Sequence, residues 1–172
     1  MGKESRQDAQ AMDNVLADYE HFEALIRDFF VKEHAFYIGR GLDYFTCLEA
    51  ALKLKEISYI HTEGFAAGEL KHGTIALIEE DTPVIALISS ASIAHNTRSN
   101  LNEVESRGAK TMVISTEAVS EESDAIILND VHPLLTPLIT TIPTQLIAYY
   151  AALVRGFDID KPRNLAKSVT VE

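Results

Sequence analysis

Short apolar runs alternate with longer stretches of helical periodicity along most of the chain. Four of these runs have the length of buried strands, and they cover residues 35–38, 84–88, 111–114 and 125–128. None of the four has a polar face. Each strand is therefore expected to be covered on both sides, which is typical of a parallel sheet.

Between the strands, apolar residues recur at three- and four-residue steps. This pattern predicts helices over about residues 9–30, 44–58 and 144–155, and a more polar helix that ends near residue 106. Gly156 is a suitable stop for the last helix. Strands that alternate with helices predict an α/β fold, a doubly wound parallel sheet of about five strands with helices on both faces.

A chain of 172 residues has room for one well-packed domain. We expect residues 1–30 to form a linker and lead-in helix, and residues 31–157 to form the α/β domain. Residues 158–172 follow as a tail without a regular pattern, and Pro162 would interrupt a helix or a strand there.

Charge and cysteine content narrow the classes of protein. The net charge of −11 has the wrong sign for a nucleic-acid surface or an anionic membrane. Cys47 is the single cysteine, so no internal disulfide is possible, and a cytoplasmic protein with a buried thiol is expected. The first eight residues have no apolar core and do not resemble a signal peptide.

Residues 133–154 contain no charged side chain and approach the length of a membrane span. Three prolines, several threonines and Gln145 interrupt this stretch. A buried helix that lies on the sheet is the better interpretation, and no membrane contact is expected.

Two loops would lie at the carboxyl ends of strands, where parallel α/β sheets bind ligands. Gly39-Arg40-Gly41 follows the first strand and fits either a close approach to a ligand or a tight turn alone. The serine-rich loop 89–92 opens a helix. Helix capping is favoured over phosphate binding there, because the loop has no glycine.

Glu49, Lys53 and Glu56 fall on one stripe of a predicted helix. Spacing alone favours a solvated charge ladder, worth ~0.2–0.5 kcal/mol per pair. The alternative is a carboxylate base beside a cation, able to move a proton next to a carbonyl or imine.

His72 precedes Gly73, and a histidine in this position is typical of a partner for a helix C-terminus. No pair among the six histidines has a convincing metal-ligand spacing, so no metal or other cofactor is expected.

Three separated motifs occur in the order found in one known family. They are FYIGRG at 36–41, LKLKEISYIHTE followed by GELKHG between 52 and 73, and DKPRNLAKSVTVE at 160–172. Together they resemble the second sugar-isomerase (SIS) domain of the glucosamine-6-phosphate synthase family, the glutamine–fructose-6-phosphate aminotransferases. The resemblance covers about residues 16–172 and implies a SIS fold for residues 31–157.

The resemblance implies a reaction and a role for each matching residue. Enzymes of the family convert fructose 6-phosphate and glutamine-derived ammonia to glucosamine 6-phosphate. Lys167 resembles the lysine that forms a Schiff base with the open-chain sugar, and Glu56 resembles the base that moves a proton from C1 to C2. Lys53 resembles the helper at the C1 hydroxyl, His72 the ring-opening histidine that enters the neighbouring subunit's site, and Ala166 a substrate contact.

The sequence also lacks parts of the family pattern. Residue 1 is not cysteine, no glutaminase is present, and loop 89–97 lacks the glycine pattern of the family's phosphate loop. The resemblance therefore implies a fragment that forms a homodimer, relies on the glutaminase and first SIS domain of a parent chain, and is inactive alone. A sugar-phosphate-binding SIS regulatory module is the alternative, although no basic segment is present to serve as its DNA-binding helix.

Overall fold

The computed structural model describes residues 4–17 and 19–165. Five strands form one sheet in the order β2-β1-β3-β4-β5, and all neighbouring pairs are parallel. The predicted doubly wound α/β fold is confirmed. The strands are β1 His34–Gly39, β2 His61–Ala66, β3 Pro83–Ile88, β4 Lys110–Thr116 and β5 Ile126–Leu128.

Helices cover both faces of this sheet. The described helices are α1 Glu4–Ala17, α2 Tyr19–Arg27, α3 Leu42–Ser58, α4 Ala91–Glu105 and α5 Thr136–Val154. Alternate residues of β1 point to opposite faces. Tyr37 joins the core under α1, α2, α3 and α5, whereas Phe36 and Ile38 join the core under α4 and the 3₁₀ turn Ala67–His72.

Strand β2 at the sheet edge was not predicted from the sequence. Its residues His61 and Glu63 are exposed or half-exposed, so no continuous apolar run marks the strand. Gly64 lies beneath α3, where a Cβ atom would be 2.7 Å from the Cys47 carbonyl oxygen. Glycine at this position therefore lets the helix pack directly on the edge strand.

Helix α5 begins eight residues earlier than the predicted start at residue 144, so that boundary is wrong. Pro143 lies inside the helix and does not end it, although proline removes one backbone donor. Threonine hydroxyls around it bind main-chain carbonyls: Thr140 donates to Thr136 at 2.9 Å, and Thr144 donates to Thr141 at 2.7 Å.

Among the described residues, one helical stretch, Pro133–Val154, is long and apolar enough by composition to cross a membrane. Half of its most apolar window is buried inside the protein. Ile139 and Ile147 of α5 belong to the same core cluster as the sheet residues Ile85 and Ile114. The predicted packing of this helix on the sheet is confirmed.

The helix predicted over residues 9–30 is helical at all described positions up to Arg27, as α1 and α2, and residue 18 between them lies outside the described residues. Both contribute to the main core. Ala11 and Val15 of α1 are buried there, and so are Phe22 and Ile26 of α2.

Candidate active site

A cavity of about 400 Å³ opens at the carboxyl edge of the sheet. This edge is where ligands bind in open parallel α/β folds. The wall includes the first turns of α3 and α4 and the loops after β4 and β5. Its polar lining comes from Asp43, Ser89, Ser90, Ser92, Thr116 and Asp130.

The Asp43 carboxylate at the start of α3 is buried, with 1% of the residue exposed. One of its oxygens accepts a hydrogen bond from the Ser89 hydroxyl at 2.5 Å, and the other accepts from the Ser89 backbone N–H at 2.8 Å. Burial raises the pKa of Asp43, and the Ser89 hydrogen bonds oppose that rise. Donors of the serine loop are thus used to hold a carboxylate, which disfavours an anion at this edge.

The serine side chains do not cap α4 as the sequence predicted. Ser90 is the N-cap residue, but its side chain makes no capping hydrogen bond to the helix backbone. Its hydroxyl lies 3.0 Å from the Ser92 hydroxyl instead. The side-chain cap predicted for this loop is therefore not formed, and phosphate binding, the alternative, stays untested.

The Gly39-Arg40-Gly41 turn joins three parts of the fold. Gly41 has φ 58°, a left-handed conformation that glycine adopts readily, and α3 begins at the next residue. The Arg40 guanidinium donates to Asn100 of α4 at 2.8 Å. It also lies against Gly68, where a Cβ atom would be 2.7 Å from Nη2. This arrangement matches the tight-turn interpretation of the motif.

Lys53 and Glu56, two of the predicted catalytic residues, are in contact on α3. The distance from Lys53 Nζ to Glu56 Oε2 is 2.9 Å, and Glu49 lies 3.6 Å from the same nitrogen. The hydrogen bond that Lys53 donates to Glu56 is the main cause that raises the pKa of Lys53. The side chains are 35% and 30% exposed, so the pair is open to an external group.

Apolar side chains face outward beside this pair. Phe45, the most exposed of them, is 63% exposed. We define the α3–α5 surface as the outward apolar residues of these two packed helices, Phe45, Leu48, Leu52, Leu138, Tyr149 and Leu153. Folded chains rarely leave many large apolar side chains in water on one face, so such a surface marks a site of interaction.

His72 lies away from Lys53 and Glu56. Helix α3 starts at the carboxyl edge of the sheet and returns to the amino edge, where Glu56 lies in its last turns. His72 ends the 3₁₀ turn that follows β2, whose six residues span about 17 Å. That turn packs on the α4 face of the sheet, whereas α3 covers the other face. The described chain therefore does not bring His72 to Glu56.

The predicted Schiff-base lysine, Lys167, and the predicted substrate contact, Ala166, lie outside the described residues. The chain just before them is held at the end of α3. The Arg163 guanidinium carbon lies 4.0 Å from the centre of the Tyr59 ring, and the Arg163 amide donates to the Tyr59 hydroxyl at 2.8 Å. Sequence reasoning missed this contact, since the two residues are 104 positions apart and lie in two separate motifs.

A second buried carboxylate, Asp124, was also missed. Arg98 donates to its two oxygens at 2.8 and 2.7 Å, and the Ser115 hydroxyl donates at 2.6 Å. Burial opposes ionisation, but the hydrogen bonds from Arg98, Ser115 and the Glu121 amide together hold the pKa of Asp124 below its ordinary value. Arg98 borders a groove of about 800 Å³ beside α4, yet its guanidinium is fully engaged, so the pair fastens the β4–β5 connection to α4.

The described residues contain no group of three or more histidine, cysteine or acidic side chains arranged to hold a metal ion. Two polar regions remain as candidate sites. One is the cavity in which Ser89 donates to Asp43, and the other is the Lys53–Glu56 pair on α3.

This architecture is that of the SIS domains. The sequence profile of the SIS domain family matches residues 28–155, and the chain belongs to this family.

Its relatives narrow the class further. The chain is 58% identical over 165 residues to the glutamine–fructose-6-phosphate aminotransferase (isomerizing) of Streptococcus pneumoniae, and 61% identical to that of Shouchella clausii. The match covers 95% of this chain but 27% of the Streptococcus pneumoniae protein, so the chain spans about a quarter of such relatives.

Solved structures give the same result. The C-terminal domain of glucosamine-fructose-6-phosphate aminotransferase from Francisella tularensis superposes with a TM-score of 0.84 and 36% identity, over 91% of this chain and 45% of that chain. Tagatose-6-phosphate ketose/aldose isomerase from Escherichia coli superposes with a TM-score of 0.71 at 19% identity, which shows the shared fold alone.

Proposed function

We propose that this chain is the second SIS domain of a glutamine–fructose-6-phosphate aminotransferase, which makes glucosamine 6-phosphate from fructose 6-phosphate and glutamine-derived ammonia. The observation that carries the proposal is the 2.9 Å contact between Lys53 and Glu56 on a half-exposed helix face. It sits within a stretch that is homologous to the isomerizing aminotransferases over 95% of the chain.

Glu56 is the proposed base for the exchange of a proton between C1 and C2 of the sugar imine. A ketose-to-aldose shift needs a carboxylate within hydrogen-bond reach of both carbons. The 30% exposure of the Glu56 side chain leaves an oxygen accessible to an incoming sugar. Lys53 keeps its charge because its pKa is raised, so it is suited to hold the Glu56 carboxylate and the C1 hydroxyl by charged hydrogen bonds.

Lys167 is the proposed Schiff-base residue, and Ala166 is a proposed contact to the sugar. Covalent geometry supports their place near Glu56. Lys167 follows Arg163 by four positions, and four extended residues span at most about 14 Å. Arg163 itself contacts Tyr59, three residues after Glu56. A lysine in this position would need a neutral amine to attack the ketone.

The proposed site requires a second surface. Lys53 and Glu56 lie on a convex helix, and the 400 Å³ cavity of this chain lies at the other end of α3. The α3–α5 surface beside the pair is apolar and exposed, as expected for a face that another domain covers. We propose that the first SIS domain of the parent chain packs there and holds the phosphate, and that a glutaminase domain supplies ammonia.

We also propose a homodimer in which His72 opens the sugar ring in the site of the other copy. The separation of His72 from Glu56 within one chain supports this arrangement. A two-fold axis would place each histidine in the site of the other copy.

A cytoplasmic location is proposed on the basis of the buried Cys47, which forms no disulfide.

The test uses a full-length aminotransferase that carries this chain as its C-terminal region. Glucosamine 6-phosphate is measured from fructose 6-phosphate with glutamine or ammonium salts, and the imine is trapped on the enzyme with borohydride. We expect turnover, a sugar adduct on Lys167, and no appreciable turnover by the 172-residue chain alone.

Two outcomes would contradict the proposal. An adduct on a lysine other than Lys167 would show that the Schiff base is assigned to the wrong residue. Binding of fructose 6-phosphate without any turnover in the full-length protein would favour a regulatory module instead.

A further inference from the structure

Tyr59 contacts the C-terminal segment at two points of different chemistry. Its ring lies under the Arg163 guanidinium, with 4.0 Å between the guanidinium carbon and the ring centre. Its hydroxyl accepts a 2.8 Å hydrogen bond from the Arg163 backbone N–H. A cation–π contact and a main-chain hydrogen bond from one side chain fix both the position and the direction of the segment.

The backbone at Tyr59 is unusual for this residue type. Tyr59 is the C-cap of α3 and has φ 62° and ψ 14°, a left-handed conformation in which glycine or asparagine is the common residue. A tyrosine here carries a steric cost that glycine would not. The contact with Arg163 gives the ring at this position a use that glycine could not supply.

Phe157 completes the support from the other side. Its ring packs edge-on against Tyr59 with 4.6 Å between centroids, and the Arg155 guanidinium lies 5.6 Å from the Phe157 ring centre. Arg155 in turn pairs with Glu33 at 2.8 Å, at the start of the first strand. The last described residues are thus tied to the rigid end of the domain by Tyr59 and Phe157.

We propose that Tyr59 is a positioning residue, which holds Arg163 at the end of α3 and so keeps Lys167, four residues further along the chain, within covalent reach of Glu56. The inference rests on the proposed function, since the catalytic task is assigned to Glu56 and Lys167. Tyr59 follows Glu56 by three residues, about 4.5 Å along the helix axis. An anchor this close limits the region that Lys167 reaches to the surroundings of Glu56.

Trypsin cleavage tests the anchor directly. Proline after Lys161 blocks cleavage there, so the Arg163–Asn164 bond is the first accessible site in this segment. Tyr59→Gly removes the ring, and glycine fits the left-handed backbone at this position. Arg163 must detach from α3 before trypsin can cleave after it, so we expect cleavage there to accelerate roughly tenfold. Tyr59→Phe keeps the ring, and we expect about a threefold increase. Cleavage at Arg107, at the far end of α4, is the internal control and should not change.

Activity of the full-length enzyme tests the positioning role. Tyr59→Gly is expected to lower kcat and borohydride trapping on Lys167 by about tenfold, with KM for fructose 6-phosphate unchanged, because the proposed phosphate contacts lie elsewhere. Tyr59→Phe keeps the ring and its contact with Arg163, so it is expected to recover most of kcat.

The outcomes separate this inference from the proposed function. Absence of trapping in the wild-type enzyme would overturn the proposed function and the role of Tyr59 with it. Normal trapping in the wild type, with equal kcat and equal cleavage at Arg163 in Tyr59→Gly, would overturn the role of Tyr59 alone.

Discussion

The two ends of α3 carry carboxylates in opposite settings. Asp43, in the first turn, is 1% exposed, and both of its oxygens accept hydrogen bonds from Ser89. Glu56, near the last turn, has a side chain that is 30% exposed and shares Lys53 with Glu49. One carboxylate is committed to the fold, whereas the other remains available to a ligand.

This contrast reverses the usual arrangement of parallel α/β sheets. Ligands in such folds bind at the carboxyl edge of the strands. Here that edge has a cavity, but the hydroxyl and the backbone N–H of Ser89 both donate to the Asp43 carboxylate. The candidate chemistry lies at the amino edge, on a helix surface that encloses nothing by itself. This comparison supports the proposal made above that the fold presents Lys53 and Glu56 to another domain.

Replacement of the Glu56 carboxylate is expected to have the largest effect on turnover. Glu56→Gln in the full-length enzyme should lower kcat by about 10²–10⁴-fold, the usual contribution of a general base, while sugar binding is retained. The free energy of unfolding of the chain should change by no more than about 0.5 kcal/mol, because the residue is a partly exposed surface group. Steady-state kinetics and urea unfolding measure the two quantities.

Lys55→Gln is the matched control, since Lys55 is an exposed residue of the same helix and forms no ion pair with another described residue. It should leave kcat unchanged. Near-normal turnover in Glu56→Gln would return the Glu49–Lys53–Glu56 stripe to a surface charge ladder and remove the distinction between the two ends of α3.

Loss of the Asp43 carboxylate is expected to affect stability rather than the proposed proton transfer. Asp43→Ala leaves the Ser89 N–H and hydroxyl without their acceptor, which should lower the free energy of unfolding by about 1–3 kcal/mol. Asp43→Asn keeps one acceptor oxygen and should lose less. Urea unfolding of the chain measures both. An unchanged midpoint for Asp43→Ala would show that the cavity region does not depend on this contact.

The sequence was informative about the sheet and about Lys53 and Glu56 for different reasons. Strands β1, β3 and β4 are buried on both faces, so their apolar runs are visible in the sequence. Edge strand β2 has one solvated face and lacks that signal. Lys53 and Glu56 lie three residues apart on one helix, and local geometry brings them together without tertiary information.

Tertiary contacts explain what could not be predicted. The Asp43–Ser89 and Tyr59–Arg163 contacts join residues 46 and 104 positions apart, and neither residue type marks its partner in advance. The extension of α5 across Pro143 depends on burial and on threonine hydroxyls that bind nearby carbonyls. Local propensity treats Pro143 as a break in the helix and contains no information about the two tertiary contacts.

A smaller effect distinguishes the two buried carboxylates by pH. Burial raises the pKa of Asp43, so its favourable contribution to folding is complete below the unfolded value of about 3.9 and declines as the pH rises through the folded pKa. The pKa of Asp124 is lowered, so its contribution is present above the unfolded value and is lost as the pH falls through the folded pKa.

The two asparagine variants should therefore differ in opposite directions. The stability deficit of Asp43→Asn relative to wild type should shrink as the pH rises above the unfolded value of about 3.9, and that of Asp124→Asn should grow as the pH rises towards that value from below. Urea midpoints across pH measure both slopes. Parallel slopes for the two variants would contradict the assigned environments.

The smallest effect concerns Tyr37, which lies in the core cluster of Cys47, under the middle of α3 and between its two ends. The Tyr37 hydroxyl is buried and meets no hydrogen-bond partner among the described residues, and burial raises its pKa. An unpaired buried hydroxyl is destabilising, so Tyr37→Phe should keep or raise the free energy of unfolding, by up to about 1 kcal/mol. The gain should appear as a rise in Tm of roughly 2–4 °C.

Spectrophotometric titration of Tyr37→Phe provides an independent check. If the phenol stays neutral in the folded wild type, the two proteins should release the same number of tyrosine protons up to about pH 11, because the removed group does not ionise in that range. Neither Asp43 nor Glu56 is altered, so full-length enzyme with Tyr37→Phe should keep its kcat. A loss of more than about 1 kcal/mol would mean that the hydroxyl has a bonded partner. The interior beneath the middle of α3 would then contain a polar contact in addition to the Asp43–Ser89 contact at its start.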